Sequence, residues 1–217
     1  MSIKENLEKI KRNLPEHVTL VAVSKTKPEG ELQEAYDAGQ RIFGENKVQE
    51  MVDKWENLPN DIEWHMIGHV QRNKVKYMID FVALIHGVDS FRLLKEVNKR
   101  AKKADRTVDC LLQIHIAEED TKFGLDKKEM YELVASDEFQ NFKNVNITGL
   151  MGMATFTDDD NQVRREFKQL KSLFDELKSE LPKINTLSMG MSGDYKIAIE
   201  EGSTMVRIGS SIFGARN

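Results

Sequence analysis

The stretch VTLVAVSKTKPEG (18–30) decides the fold. Its first half is an apolar, β-branched run of the kind that makes a buried strand. Its second half puts a lysine, Lys25, where the strand gives way, then a proline and acidic residues that suit the start of a helix. A strand that passes into a helix in this way is half of a parallel strand–helix–strand unit.

Outward from this stretch the same alternation continues almost from end to end. The expected strands are 18–24, 41–44, 62–67, 81–86, 108–116, 145–153, 185–189 and 204–208. Helical patterns lie between them at 29–38, 47–56, 72–79, 90–104, 126–136, 159–181 and 194–201. Eight strands followed by seven helices fall one helix short of a barrel, because the chain reaches FGARN soon after the last strand. An amphipathic helix over 3–13, ahead of the first strand, would fill the vacant place in the outer ring. The expectation is an α/β fold, a single (β/α)8 TIM barrel with an extra N-terminal helix, in one domain over 1–217. An open doubly wound sheet is the alternative. The missing GxGxxG turn and the GAR run after the last strand speak against its dinucleotide-binding form.

A chain of 217 residues can bury a full core. With 40% hydrophobic and 31% charged residues it has the composition of a globular protein, and a net charge of -4 gives no reason to expect nucleic acid. The densest basic run, NKRAKKADR (98–106), lies within a helical pattern and reads as a solvated face. The single cysteine, Cys110, excludes an internal disulfide, and its setting in VDCLLQIHI is that of a small buried hydrophobe. The N-terminal MSIKENLEKIKRNLPEH carries both charge signs and lacks the apolar core of a signal peptide; no run approaches the ~20 apolar residues of a membrane span. A cytoplasmic protein is expected.

In a barrel, chemistry gathers at the C-terminal ends of the strands. Those segments are SKTKP (24–28), FGEN (43–46), HMIGHVQRNK (65–74), HGVDS (86–90), MGMAT (151–155), SMGMSGD (188–194) and RIGSSIFG (207–214), rich in Gly, Ser, Asn, His and Arg. Lys25 has two readings. In a desolvated mouth its amine would lose its charge readily and could form a Schiff base with a carbonyl; otherwise it snorkels to solvent, as Lys27 beside it would. The Gly/Ser loops after strands seven and eight stand where barrels commonly hold phosphate, with Ser192, Ser210 and Ser211 as hydroxyl donors. A phosphate pocket beside a carbonyl-reactive lysine describes a site for pyridoxal 5'-phosphate. Arg207, two residues before Gly209, would then face the pyridine nitrogen, or else pair with an acidic neighbour.

VAVSKTKP, FGENKVQE, WHMIGHVQRNK, MGMAT, LSMGMSGDY and VRIGSSIFGAR together resemble the pyridoxal phosphate homeostasis protein family, whose fold is similar to the N-terminal barrel of alanine racemase. The resemblance runs from about residue 18 to 216. It implies that Lys25 is the Schiff-base lysine, Arg207 the ring-nitrogen partner and Asn46 a residue near the ring. Ser192, Gly209 and Ser210 would form the phosphate cradle, with backbone from Met191 and Gly193. Tyr195 departs from the pattern, which more often has methionine there.

Other candidates have plainer readings. His65 and His69 are spaced like metal ligands, but HMIGH starts in a strand, contains a glycine and lacks the glutamate of HExxH, so no metal site is expected. His86 and His115 read as core or mouth residues, and the methionines of MGMATF and LSMGM as packing of the barrel interior. TFTDDDN (155–161) reads as an acidic helix start.

The resemblance implies a protein of vitamin B6 and amino-acid homeostasis that holds pyridoxal phosphate on Lys25 and delivers it to PLP-dependent apoenzymes, without robust catalysis. A slow amino-acid racemase is the alternative. It needs a second base opposite Lys25, which in alanine racemase-like enzymes is a tyrosine from a second domain, and an arginine at the ring nitrogen disfavours ring protonation and weakens the electron sink. A third reading is a lysine aldolase acting on a sugar phosphate. No catalytic residue is assigned, and a monomer is expected.

Overall fold

The computed structural model describes residues 2–119 and 123–214. The last residues of the VRIGSSIFGAR motif, Ala215 and Arg216, therefore lie outside the described residues, as does Asn217.

The described strands are β1 (Thr19–Val23), β2 (Ile42–Glu45), β3 (Glu63–Met66), β4 (Leu84–Val88), β5 (Val108–Gln113), β6 (Val145–Met151), β7 (Thr186–Met191) and β8 (Met205–Ile208). They close into a barrel in sequence order, every pair parallel, with β1 joined to β8 through Val21 opposite Arg207 and Ala22 opposite Ile208. The helices are α1 (Ile3–Asn13), α2 (Glu29–Asp37), α3 (Val48–Asn57), α4 (Val75–Met78), α5 (Phe91–Lys103), α6 (Lys127–Ala135), α7 (Asp137–Gln140), α8 (Asp160–Leu177), α9 (Tyr195–Glu200) and α10 (Ser210–Phe213). The expected TIM barrel with an additional N-terminal helix is the fold.

α1 is a strong local unit. Ser2 and Glu5 form a capping box, and Leu7 and Ile10 are buried on its inner face. It packs between α2 and α10, and Asn6 Nδ2 donates to the Ile212 carbonyl at 3.0 Å. α1 thus completes the outer ring, as expected, while α10 adds a single turn after β8.

The expected fourth strand, 81–86, is displaced. The Phe81 and Val82 N–H groups both donate to the Met78 carbonyl, which ends α4, and Phe81 stacks on Trp55 at 4.3 Å. Pairing starts only at Leu84 and runs on through His86 to Val88, so His86 lies inside a strand rather than at its end.

Strand alternation divides the core in two. The outward residues, such as Phe43, Trp64, Met66, Leu187 and Met189, pack under the helices. The inward ones, Val21, Leu84, Leu111, Met151 and Met205, fill the barrel with Ile42, Ile67 and Met153 against them. Met151 and Met153 are interior as expected, but Met189 has the opposite parity and faces the helices.

Candidate functional site at the barrel mouth

The same alternation carries the candidate residues to one place. On β1 the inward series is Val21, Val23 and then Lys25, two residues past the strand. On β2 it is Ile42, Gly44 and Asn46, with Gly44 opposite Val23. On β8 it is Met205, Arg207 and Gly209; a Cβ on Gly209 would stand 3.0 Å from the Val23 carbonyl oxygen, a tight approach that glycine relieves where these strand ends meet. Lys25 and Asn46 are half-buried, and Lys25 already interacts within the chain.

Arg207 is buried. Its Nη1 donates to the Ser188 carbonyl at 2.9 Å and to Ser188 Oγ at 2.6 Å, and its Nη2 to the Gly152 carbonyl at 3.0 Å. Burial lowers its pKa to about 10, against the pull of Asp194, so it stays charged at neutral pH. The acidic neighbour of the alternative reading makes no ion pair with it among the described residues: carbonyls and a hydroxyl hold it instead. Three of its five N–H donors are engaged, which leaves two for a ligand.

Behind Ser188 stands a chain of polar groups. His86 Nδ1 lies 3.0 Å from Ser188 Oγ, and His86 Nε2 lies 3.0 Å from His65 Nδ1. Arginine can only donate, so Ser188 Oγ accepts from it, while the donor in the contacts of His86 with Ser188 and with His65 is set by the ring tautomer. Burial alone lowers the His65 pKa to about 3; burial, then the neighbouring His65 and Arg207, put His86 well below the usual imidazole value. Both rings are neutral in the native protein. His69, the other half of the metal-like spacing, points elsewhere: its Nδ1 is 2.7 Å from Asp89 Oδ2 and its ring stacks on Phe123.

The two Gly/Ser loops meet. Met191 pairs with Arg207 across β7 and β8, and Gly209 N donates to Ser192 Oγ at 3.2 Å. Ser192 therefore accepts one loop amide and keeps its own hydrogen for another acceptor. Met191 N donates to Asp194 Oδ1 at 2.5 Å, which fixes the turn before α9. Gly193 is exposed, and Ser210 is the exposed first residue of α10. Tyr195 packs on the core beneath α9.

Sequence reasoning missed Ser188, His86 and His65 as supports of Arg207. Their signal was parity: each falls on an inward step of its strand, where a polar side chain must find a partner. It also missed Glu45, Glu50 and Lys54, which lie behind Lys25 in the layer between barrel and helices and surround the Lys25 turn.

Against known proteins, a family profile described as "Alanine racemase, N-terminal domain" matches residues 1–217. The pyridoxal phosphate homeostasis protein of Pasteurella multocida is 41% identical over 234 aligned residues, which take in 100% of this chain and 99% of that protein. The Escherichia coli protein of the same name is 40% identical, with 94% of this chain and 88% of that one covered. Among solved structures, PipY of Synechococcus elongatus with PLP bound superposes with a TM-score of 0.89 at 35% identity, covering 98% of this chain and 100% of PipY. An alanine racemase of Clostridium difficile shares the fold, with a TM-score of 0.81 at 15% identity over 99% of this chain and 60% of the racemase. The chain belongs to the alanine racemase N-terminal domain family and, within it, to the pyridoxal phosphate homeostasis proteins.

Proposed function

We propose that this member of the pyridoxal phosphate homeostasis family binds pyridoxal 5'-phosphate at the barrel mouth through Lys25, and exchanges it with PLP-dependent apoenzymes rather than turning over amino acids. The observation that carries the reading is Arg207: a buried cation, held by three bonds to the chain itself, with two donors unspent beside the Lys25 strand end. That donor set fits an aromatic ring nitrogen, and the joined Ser192–Gly209 loops fit a phosphate monoester.

When bound, the cofactor supplies an aldehyde able to condense with a primary amine. Lys25 supplies the amine. Arg207 would face the ring nitrogen and, being charged, would keep that nitrogen unprotonated. Asn46 would lie beside the ring. Ser192, Gly209 and Ser210, with the Met191 and Gly193 backbone, would hold the phosphate.

A racemase needs a base on each face of the substrate carbon. Of the chain's 4 tyrosines, Tyr36, Tyr131 and Tyr195 pack on the core outside the barrel and Tyr77 is exposed, so none lies on the inner face opposite Lys25. This supports a carrier over the slow racemase. We further propose one domain over 1–217, acting as a monomer in the cytoplasm; no helix among the described residues is long and apolar enough to cross a membrane.

The near-visible spectrum of the purified protein, titrated with pyridoxal 5'-phosphate, tests the reading. A bound-cofactor band that Lys25→Ala abolishes, with borohydride fixing the ligand to Lys25 in the wild type, is the expected result. No band and no adduct would overturn it in favour of the sugar-phosphate barrel. Amino-acid turnover that Lys25→Ala abolishes would restore the racemase.

A further inference from the structure

The turn that presents Lys25 is strained. Thr26 has φ 64°, in the left-handed region that a β-branched residue avoids because its Cβ crowds the following carbonyl oxygen. Such a conformation persists only where its surroundings fix it.

Three side chains do so from the helix side of the barrel. The Thr26 N–H donates to Glu50 Oε1 at 2.5 Å, and the same oxygen accepts from Lys54 Nζ at 2.8 Å. Lys54 Nζ donates also to the Ser24 carbonyl at 2.8 Å and to Glu45 Oε1 at 2.7 Å, which engages all three of its hydrogens. Ser24 Oγ closes the circuit by donating to Glu45 Oε1 at 2.6 Å. The residues on both sides of Lys25 are therefore held from behind, while strand alternation gives Lys25 the inner side.

The Lys54 side chain is 6% exposed and that of Glu45 0%. Burial drives the Glu45 pKa up, against the pull of Lys54. Ion pairs this deep add little stability over apolar residues of the same shape. Their contacts with Ser24 and Thr26 give the cluster a different use.

We propose that Glu45, Glu50 and Lys54 are positioning residues for Lys25: by gripping Ser24 and Thr26 they hold the turn in the conformation that presents the Lys25 amine at the barrel mouth. This rests on Lys25 being the cofactor lysine.

The test compares wild type, Glu50→Ala, Thr26→Gly and the double variant. In the cofactor-free protein, amide hydrogen exchange and backbone carbon shifts at residue 26 read the turn directly; Glu50→Ala should speed exchange there and move the shifts away from left-handed values. Apparent affinity falls with the fraction of molecules in the competent conformation. The dissociation constant for pyridoxal 5'-phosphate, read by absorbance, should therefore rise on the order of tenfold in Glu50→Ala, since holding a residue in such a region is worth roughly five- to 150-fold. Thr26→Gly in the same chain should return it to within about threefold, because glycine adopts φ > 0 unaided.

Unchanged affinity in Glu50→Ala, or a loss that Thr26→Gly does not rescue, would overturn the proposal. Glu45→Gln/Lys54→Met removes the buried pair and leaves only the Glu50 carboxylate, 23% exposed, without its cation; it should weaken binding in the same direction, and wild-type affinity there would count equally against the proposal. If the functional reading itself is wrong, borohydride treatment of the loaded wild type maps the ligand to another lysine or to none. The residue-26 measurements need no cofactor, so the two failures can be told apart.

Discussion

Lowering the pH from 7 to 5 should cost the protein roughly 2 kcal/mol of stability through His65, with His86 adding in the same direction. An unfolded histidine titrates near 6.5, whereas burial holds His65 at about 3 and His86 well below the ordinary value. The folded-state pKa values are depressed, so between about 3 and 6.5 the unfolded chain binds the extra protons, and stability rises with pH across that window. The contribution is complete above about 6.5 and is lost as the pH falls. Each pH unit well below 6.5 costs about 1.4 kcal/mol for a ring that stays neutral in the fold; from pH 7 to 5, after the rounding near the unfolded midpoint, His65 loses about 2 kcal/mol. Glu45, pushed upward by burial, titrates in the opposite sense and trims the slope of the whole protein. The comparison with His65→Gln/His86→Gln isolates the rings: urea unfolding at a series of pH values should show the variant's acid limb flatter than wild type by the full amount, whatever its stability at pH 7. Parallel limbs, or an imidazole Cε1–H resonance of either ring titrating in the native state above about pH 5, would refute the neutral-pair assignment.

Two further outcomes follow from packing and burial. Cys110 is fully buried and its thiol is driven upward, first by desolvation and then by Asp109, so a thiol reagent should react with it only at the rate of unfolding, which a denaturant series would reveal. Gly149→Ala puts a Cβ into the Thr186 carbonyl oxygen, a backbone atom that cannot swing aside; we expect a loss of at least about 3 kcal/mol and a Tm lower by roughly 6–12 °C in calorimetry, whereas a change under about 1 kcal/mol would mean that β6 and β7 part easily.

How much the sequence revealed depended on whether the signal was local. β1, β5 and β8 announce themselves because apolar β-branched runs need no distant partner to be recognised, and Ser2 with Glu5 marks the start of α1 by chemistry within one turn. The fourth strand slid because Phe81 and Val82 look like strand residues and are claimed by Met78 and Trp55, contacts no window of sequence displays. Lys25, Asn46 and Arg207 were legible as candidates from their places at or beside strand ends. The groups that hold them were not: Ser188, His86 and Gly152 reach Arg207 or its contacts from three other strand segments, and Lys54 reaches Ser24 across 30 residues of chain. A single sequence shows which side chains can do chemistry more readily than it shows which ones aim them.

These supports bear on what happens when the ligand leaves. The three bonds of Arg207 end on Ser188 and Gly152, Ser192 already accepts the Gly209 amide, and Thr26 is held by Glu50. The desolvation of the buried guanidinium is thus offset in part by the chain itself, so releasing a ligand would free two of its donors and undo none of these three bonds. The proposed carrier role needs this property, since a site that formed only around its ligand would resist giving it up. Loading should then stabilise the protein by mass action, about 2.7 kcal/mol at a free concentration one hundred times Kd, and leave the m-value unchanged. Urea unfolding at several concentrations of pyridoxal 5'-phosphate, set against a separately measured Kd, tests this. A larger m-value in the loaded protein than in the empty one would show that part of the mouth folds on binding. The support network would then be a consequence of loading and could not serve as its preformed frame.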